Sequence, residues 1–113
     1  MATATFVQDG SSVDYTPGAD VAAGAVVVQG DLIGIARTPI ASGVLGSLAV
    51  AGVFDLPKAT GASTAIAAGA SVYWDVAEQV AKTDSESGAN KLLGKVVKAA
   101  GDDDATVRVR LSQ

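Results

Sequence analysis

The sequence predicts an all-β fold, a small single-domain β-barrel or β-sandwich of short antiparallel strands with at most one short helix, spanning residues 1–113. Three observations carry this. Turn signals recur along the whole chain, at Asp9-Gly10-Ser11, Pro17-Gly18, Ala23-Gly24, Gly30-Asp31, Ser42-Gly43, Gly61, Ala68-Gly69, Ser87-Gly88 and Gly101-Asp102. The short segments between them are rich in Val, Ile, Tyr and Phe, as in sandwiches and barrels. Thr106-Val107-Arg108-Val109-Arg110-Leu111 alternates polar and apolar residues, the period of a half-buried strand.

The elements follow in order. Ala4 to Gln8 and Val13 to Tyr15 flank Asp9-Gly10-Ser11-Ser12, which suggests an opening hairpin. Val26 to Gln29 and Leu32 to Ala36 flank Gly30-Asp31 as a second hairpin. Val53 to Lys58 is a strand that ends at Pro57, because proline cannot continue a ladder inside a sheet, and Phe54 is then a core anchor. Ser63 to Ala68 is Ala-rich and predicts one or two helical turns or a loop. Val72 to Asp75 and Gln79 to Ala81 form a third hairpin. Tyr73 and Trp74 are neighbours on opposite faces of its first strand, so one is core and the other exposed or at an interface. Leu92, Leu93, Val96, Val97 and Ala100 make a helical stripe, but Gly94 and the β-branched Val96-Val97 pair favour a strand, paired with 105–111. Val21-Ala22-Ala23-Gly24-Ala25-x-Val27 recurs as Ile66-Ala67-Ala68-Gly69-Ala70-x-Val72, and Leu32-Ile33-Gly34 resembles Leu92-Leu93-Gly94. Two related hairpin units, or chance in a chain of small residues, would produce such an echo.

Composition narrows the function. The 113 residues include 22 Ala, 16 Val and 13 Gly but no His and no Cys. Nucleophilic triads and dyads built on His are excluded within the chain, as are His- or Cys-ligated zinc, haem and iron–sulfur sites. Disulfides are excluded as well. The net charge of −4 is unsuited to neutralising phosphates, so no nucleic-acid partner is expected. No apolar run approaches the roughly 20 residues of a membrane span, and Met1 to Gln8 does not resemble a secretory signal. Few large apolar residues are available for a core, and thin cores are commonly reinforced by oligomerisation.

The motif search points away from catalysis. Gly88 to Val96 approximates a phosphate loop, but it has five residues between the glycines and Val96 where a hydroxyl belongs. Asp102-Asp103-Asp104 is the densest acidic cluster, and successive strand positions do not converge on one ion, so a solvated turn is expected. Asp84 to Gly88 lacks the closing Glu of a calcium loop and is expected to be an exposed turn. No catalytic residue, cofactor or metal ligand is assigned. Arg108 and Arg110 share the polar face of one strand and, with Trp74, are candidate interface residues; a solvated face balanced by the nearby acidic turn is the alternative. The N-terminal segment carries Thr3, Thr5, Phe6 and Val7, which could add as an edge strand to a partner sheet, or could form the first strand of the chain's own fold.

The order of these pieces resembles a family of small phage and prophage capsid cement (decoration) proteins, long described as a domain of unknown function. The resemblance rests on Thr5 to Gly10, Gly24 to Ala36, Gly52 to Ala59, Ala68 to Asp75, Asn90 to Gly94 and Ala105 to Leu111, and covers essentially the whole chain. Some members carry a recombinase label, which the missing phosphate loop does not support. The resemblance implies a β-rich fold and a trimeric or similarly symmetric homo-oligomer. It also implies binding to the major capsid protein on the outside of the expanded head, in a virion assembled in the bacterial cytoplasm. The rival expectation is a head-displayed carbohydrate-binding or host-adhesion module, disfavoured by a chain with only five aromatic residues.

Overall fold

The computed structural model describes residues 4–5 and 10–112. Among these residues the chain forms nine strands: β1 Ser12–Tyr15, β2 Val26–Gln29, β3 Leu32–Ile35, β4 Gly46–Ala49, β5 Gly52–Pro57, β6 Ser71–Asp75, β7 Val80–Lys82, β8 Lys91–Lys98 and β9 Thr106–Leu111. They build two antiparallel sheets, one ordered β1-β4-β3-β2 and the other β5-β9-β8-β6-β7. The architecture is sandwich-like and not a closed barrel. Among the described residues the helical content is one 3-10 turn, Glu86–Gly88.

The β2–β3 and β6–β7 hairpins form where the turn residues predict them, and β8 is the strand partner of β9. β5 runs to Pro57 as expected. Two further segments are read less firmly from sequence. Ser63 to Ala68 forms no helix; Ile66 instead makes a bridge to Ala100, because backbone partners across the fold satisfy the segment better than one isolated turn would. β1 pairs with β4 on one edge. Ala4 and Thr5 lie outside any strand, and the rest of that proposed hairpin arm falls outside the described residues.

The sequence echo is a structural repeat. β1, β4, β3 and β2 stand in the same order as β5, β9, β8 and β6. In the first copy Ala25 N–H donates to Ala22 C=O at 3.1 Å, Gly24 N–H to Ala36 C=O at 2.6 Å and Ala36 N–H to Ala25 C=O at 3.0 Å. In the second, Ala70 donates to Ala67 at 3.2 Å, Gly69 to Val96 at 2.7 Å and Val96 to Ala70 at 2.9 Å. Gly24 and Gly69 hold φ of 85° and 87°, the left-handed conformation that glycine adopts at little cost. The bridge Val21↔Ile40 corresponds to Ile66↔Ala100. The offset is 45 residues from Val21 to Ile66 and 60 from Ile40 to Ala100, so β7 and the 3-10 turn lie in an insertion within the second copy.

Packing then distinguishes the two copies. Side chains alternate across a strand, so Val26, Val28, Ile33 and Ile35 leave one face of the first sheet and join the large cluster with Val72, Leu93, Val96, Val107, Val109 and Leu111. Val27, Leu48, Val13 and Tyr15 leave the other face and form a smaller cluster with Ala36 and Ile40. The first sheet is therefore apolar on both sides, which explains the unbroken Val26-Val27-Val28 run. The second sheet covers core with one face only, and β9 alternates exposed and buried along its whole length.

Candidate functional site

The free face of the second sheet collects charge through strand register alone. Arg110 lies opposite Lys95, and Arg108 lies opposite Lys98. On the other side of β9, Arg110 faces Val53 and Arg108 faces Asp55. All four cations are exposed. Half of the chain's eight basic residues thus share one face of a protein with net charge −4. Residue Val97 is the extra one at the β8 irregularity between Val96 and Lys98 and is 47% exposed; Val53, on the edge strand β5, is 55% exposed.

Among the described residues one carboxylate answers these cations. Arg108 Nε and Nη2 donate to Asp55 Oδ1 and Oδ2 at 2.9 and 3.2 Å, a two-point pair. The Arg108 guanidinium, chiefly through this hydrogen bond, holds the Asp55 carboxyl below its usual range, and Asp55 in turn raises Arg108. Lys95 donates to Ser71 Oγ at 2.5 Å across the β8–β6 pair. An open groove of about 230 Å³ adjoins the pair, its lining including Asp55, Lys98, Asp104, Thr106 and Arg108.

Two further lysines, Lys82 and Lys58, have structural partners. Lys82 bridges Asp75 at 2.8 Å and Glu78 at 2.6 Å, and Asp75 Oδ1 accepts the Glu78 N–H at 3.0 Å, closing the β6–β7 turn. Lys82 and then the turn N–H groups pull Asp75 below its ordinary value, while the two carboxylates raise Lys82. Lys58 is only 4% exposed. Its ammonium donates to Ala59 C=O at 2.7 Å, Asp104 C=O at 3.2 Å, Thr64 Oγ1 at 3.3 Å and Asp102 C=O at 3.4 Å, fastening the end of β5 to the β8–β9 loop. Asp102 Oδ1 accepts the Thr64 and Ala65 N–H groups at 3.1 and 2.8 Å, and Asp104 Oδ2 accepts Gly101 N–H at 2.8 Å. Asp102 and Asp104 of the acidic triplet thus cap loop N–H groups within an exposed turn.

Of the residues singled out from sequence, Arg108 and Arg110 are brought together on this face. Trp74 is not: it is 2% exposed inside the large cluster, so it is core and offers no surface to a partner. Tyr73, its neighbour, is half-buried. Thr5 is exposed, while Thr3, Phe6 and Val7 lie outside the described residues. Sequence reasoning missed Lys95 and Lys98; the signal was their polar positions in a segment that also carries a helical stripe, which obscured their shared face with Arg108 and Arg110. Among the described residues no group of three acidic side chains is arranged to hold a metal.

No curated protein and no solved structure matches the chain significantly. The family model for phage cement proteins does, over residues 7–111. With that match covering nearly every residue of this two-sheet fold, the chain belongs to the phage cement protein family, structural proteins that bind and stabilise a phage capsid.

Proposed function

We propose that this chain binds the outer surface of the expanded phage head, contacts the major capsid protein there, and stabilises the shell against the pressure of packaged DNA. The observation that carries the reading is the family match across residues 7–111. A ligand that binds only the expanded shell stabilises that state by mass action, and symmetric contacts repeated around an oligomer add avidity without a strong single site. It works as a homo-oligomer, a trimer being the favoured form. In support, the smaller cluster fully buries only Ala36, Ile40 and Leu48, and the loop after Ile40 leaves Val44 and Leu45 53% and 66% exposed. Synthesis takes place in the bacterial cytoplasm, and the protein has no enzymatic role. The arm at residues 2–8 supplies one capsid contact.

Sugar binding finds little support. Stacking on sugars needs exposed rings, and Tyr15, Phe54 and Tyr73 are half-buried while Trp74 is buried. The test is co-sedimentation of the purified chain with expanded and unexpanded shells that lack it, with a glycan array alongside. Saturable binding to expanded shells alone, at a fixed ratio to the major capsid protein, is the expected result. Binding to neither shell overturns the reading.

A further inference from the structure

We propose that the free face of the second sheet, centred on Lys95 and Arg110 with Lys98 and Arg108 beside them, is a docking surface for a carboxylate-rich patch of the capsid protein. The inference rests on the cement reading and adds to it the site and the chemistry of its partner.

Three observations carry it. First, two cross-strand pairs on this face, Lys95↔Arg110 and Lys98↔Arg108, set like charges directly opposite each other. Such pairs oppose folding. Among the described residues Asp55 is the one carboxylate paired with them, and both of its oxygens are already taken by Arg108. An incoming set of carboxylates would relieve the repulsion that the isolated chain leaves in place.

Second, the repeat marks this face as a docking position. Its counterpart in the first sheet is the face of Val26, Ile33 and Ile35, which is buried against the core of the second copy. At the centre of the face the equivalence is direct: the pair Ile35↔Ala49, buried and apolar inside the chain, is replaced by the exposed pair Lys95↔Arg110, whereas Asp14 and Ser47, the counterparts of Asp55 and Arg108, are exposed in both copies.

Third, the chain itself is poorly supplied with carboxylates to answer it. Among the described acidic residues, Asp20, Asp84, Asp102 and Asp104 cap backbone N–H groups. Asp31, Asp55, Asp75 and Glu78 hold ion pairs. Asp14, Glu86 and Asp103 remain, in three separate elements. The densest acidic stretch a second copy offers is the exposed turn Asp102-Asp103-Asp104, where Asp102 and Asp104 are already engaged as loop caps, so a different protein with free carboxylates is the better-matched occupant. Nucleic acid is disfavoured because the whole chain is acidic and would be repelled everywhere else.

The test compares the full chain with Lys95→Glu and Arg110→Glu in binding to expanded shells, at 50 and 500 mM NaCl, with urea unfolding of each protein measured in parallel. Each substitution turns a like-charge pair into an opposite-charge pair. The variants are therefore expected to unfold at equal or higher urea than the parent, yet to bind shells at least tenfold more weakly at 50 mM, with the gap narrowing at 500 mM as salt screens the contact. Stability and binding moving in opposite directions exclude misfolding as the cause. Wild-type binding that neither variant changes overturns the docking surface and leaves the cement reading standing. No binding by the wild type to either shell removes the cement reading first. Loss of oligomer mass in the variants at unchanged shell binding, or tight wild-type binding to duplex DNA at 150 mM salt, assigns the face to a second copy or to nucleic acid and overturns the proposal.

Discussion

Gly94 is where the fold has least room, and Gly94→Ala tests the packing of the two strands that carry the basic face. A Cβ built there would overlap the Arg110 carbonyl oxygen and lie 2.7 Å from Ser112 N and 3.0 Å from Arg110 C. These are backbone atoms of β9 and the residue beyond it, so no side-chain rotation relieves the clash. β8 and β9 must move apart by roughly 1 Å to restore ordinary contact distances. Overpacking of this kind costs about 1–3 kcal/mol. The separation also strains the Ser112 N–H to Leu93 C=O bond, now 3.0 Å, and its ladder neighbours, at about 1 kcal/mol for each bond lost. The expected destabilisation is about 3 kcal/mol or more. Gly24→Ala is the control. Gly24 has φ of 85° with nothing within 4 Å of its added Cβ, so only the left-handed conformation is penalised, at about 1–2 kcal/mol. Urea titration followed by the fluorescence of Trp74, the single tryptophan and a core residue, measures both. A Gly94→Ala cost no larger than that of Gly24→Ala would refute the argument from close strand approach.

Three further outcomes are expected. Lys58→Met leaves the carbonyls of Ala59, Asp102 and Asp104 without their buried ammonium and should lower stability by about 2–3 kcal/mol, given that a hydrogen bond to a charged group contributes about 1.5–3 kcal/mol; an unchanged urea midpoint would contradict the cage. Asp75 sits below its ordinary value of 3.8 in the folded protein, so its contribution is fully present above that value and fades as pH falls through the lower folded one. Midpoints measured from pH 7 down to pH 2 should therefore decline most below pH 4, and Asp75→Asn should flatten part of that decline. Deleting residues 2–8 should leave the urea midpoint of the chain close to wild type while weakening its binding to expanded shells; a truncated chain that unfolds, or that binds unchanged, removes the arm from the contact.

How much of this was legible in sequence depended on whether the signal was local. The β2–β3 hairpin was legible because Gly30-Asp31 interrupts two apolar runs, and β9 because one covered face imposes strict alternation. The strand character of Lys91–Lys98 prevailed over its helical stripe because Gly94 and Val96-Val97 disfavour helix and an eight-residue segment gains more from pairing on both edges. Phe54 does pack against the large cluster, though half-buried on an edge strand. Ser63 to Ala68 stayed open between helical turns and a loop, and the loop prevails: alanine propensity is worth tenths of a kilocalorie per residue, less than the cross-fold bonds that Ile66 makes to Ala100.

By itself the sequence determined the all-β class, most hairpins, the absence of His and Cys chemistry and the family resemblance, because composition, turn residues and residue period act within a few positions of one another. Tertiary structure decided that Trp74 is core and that the small-residue echo is a true duplication. It decided that Lys95 and Lys98 join Arg108 and Arg110. Those facts depend on register between strands distant in the chain, set by the packing of both sheets on one shared core, and a shift of one residue would have turned every one of those cations to the other face.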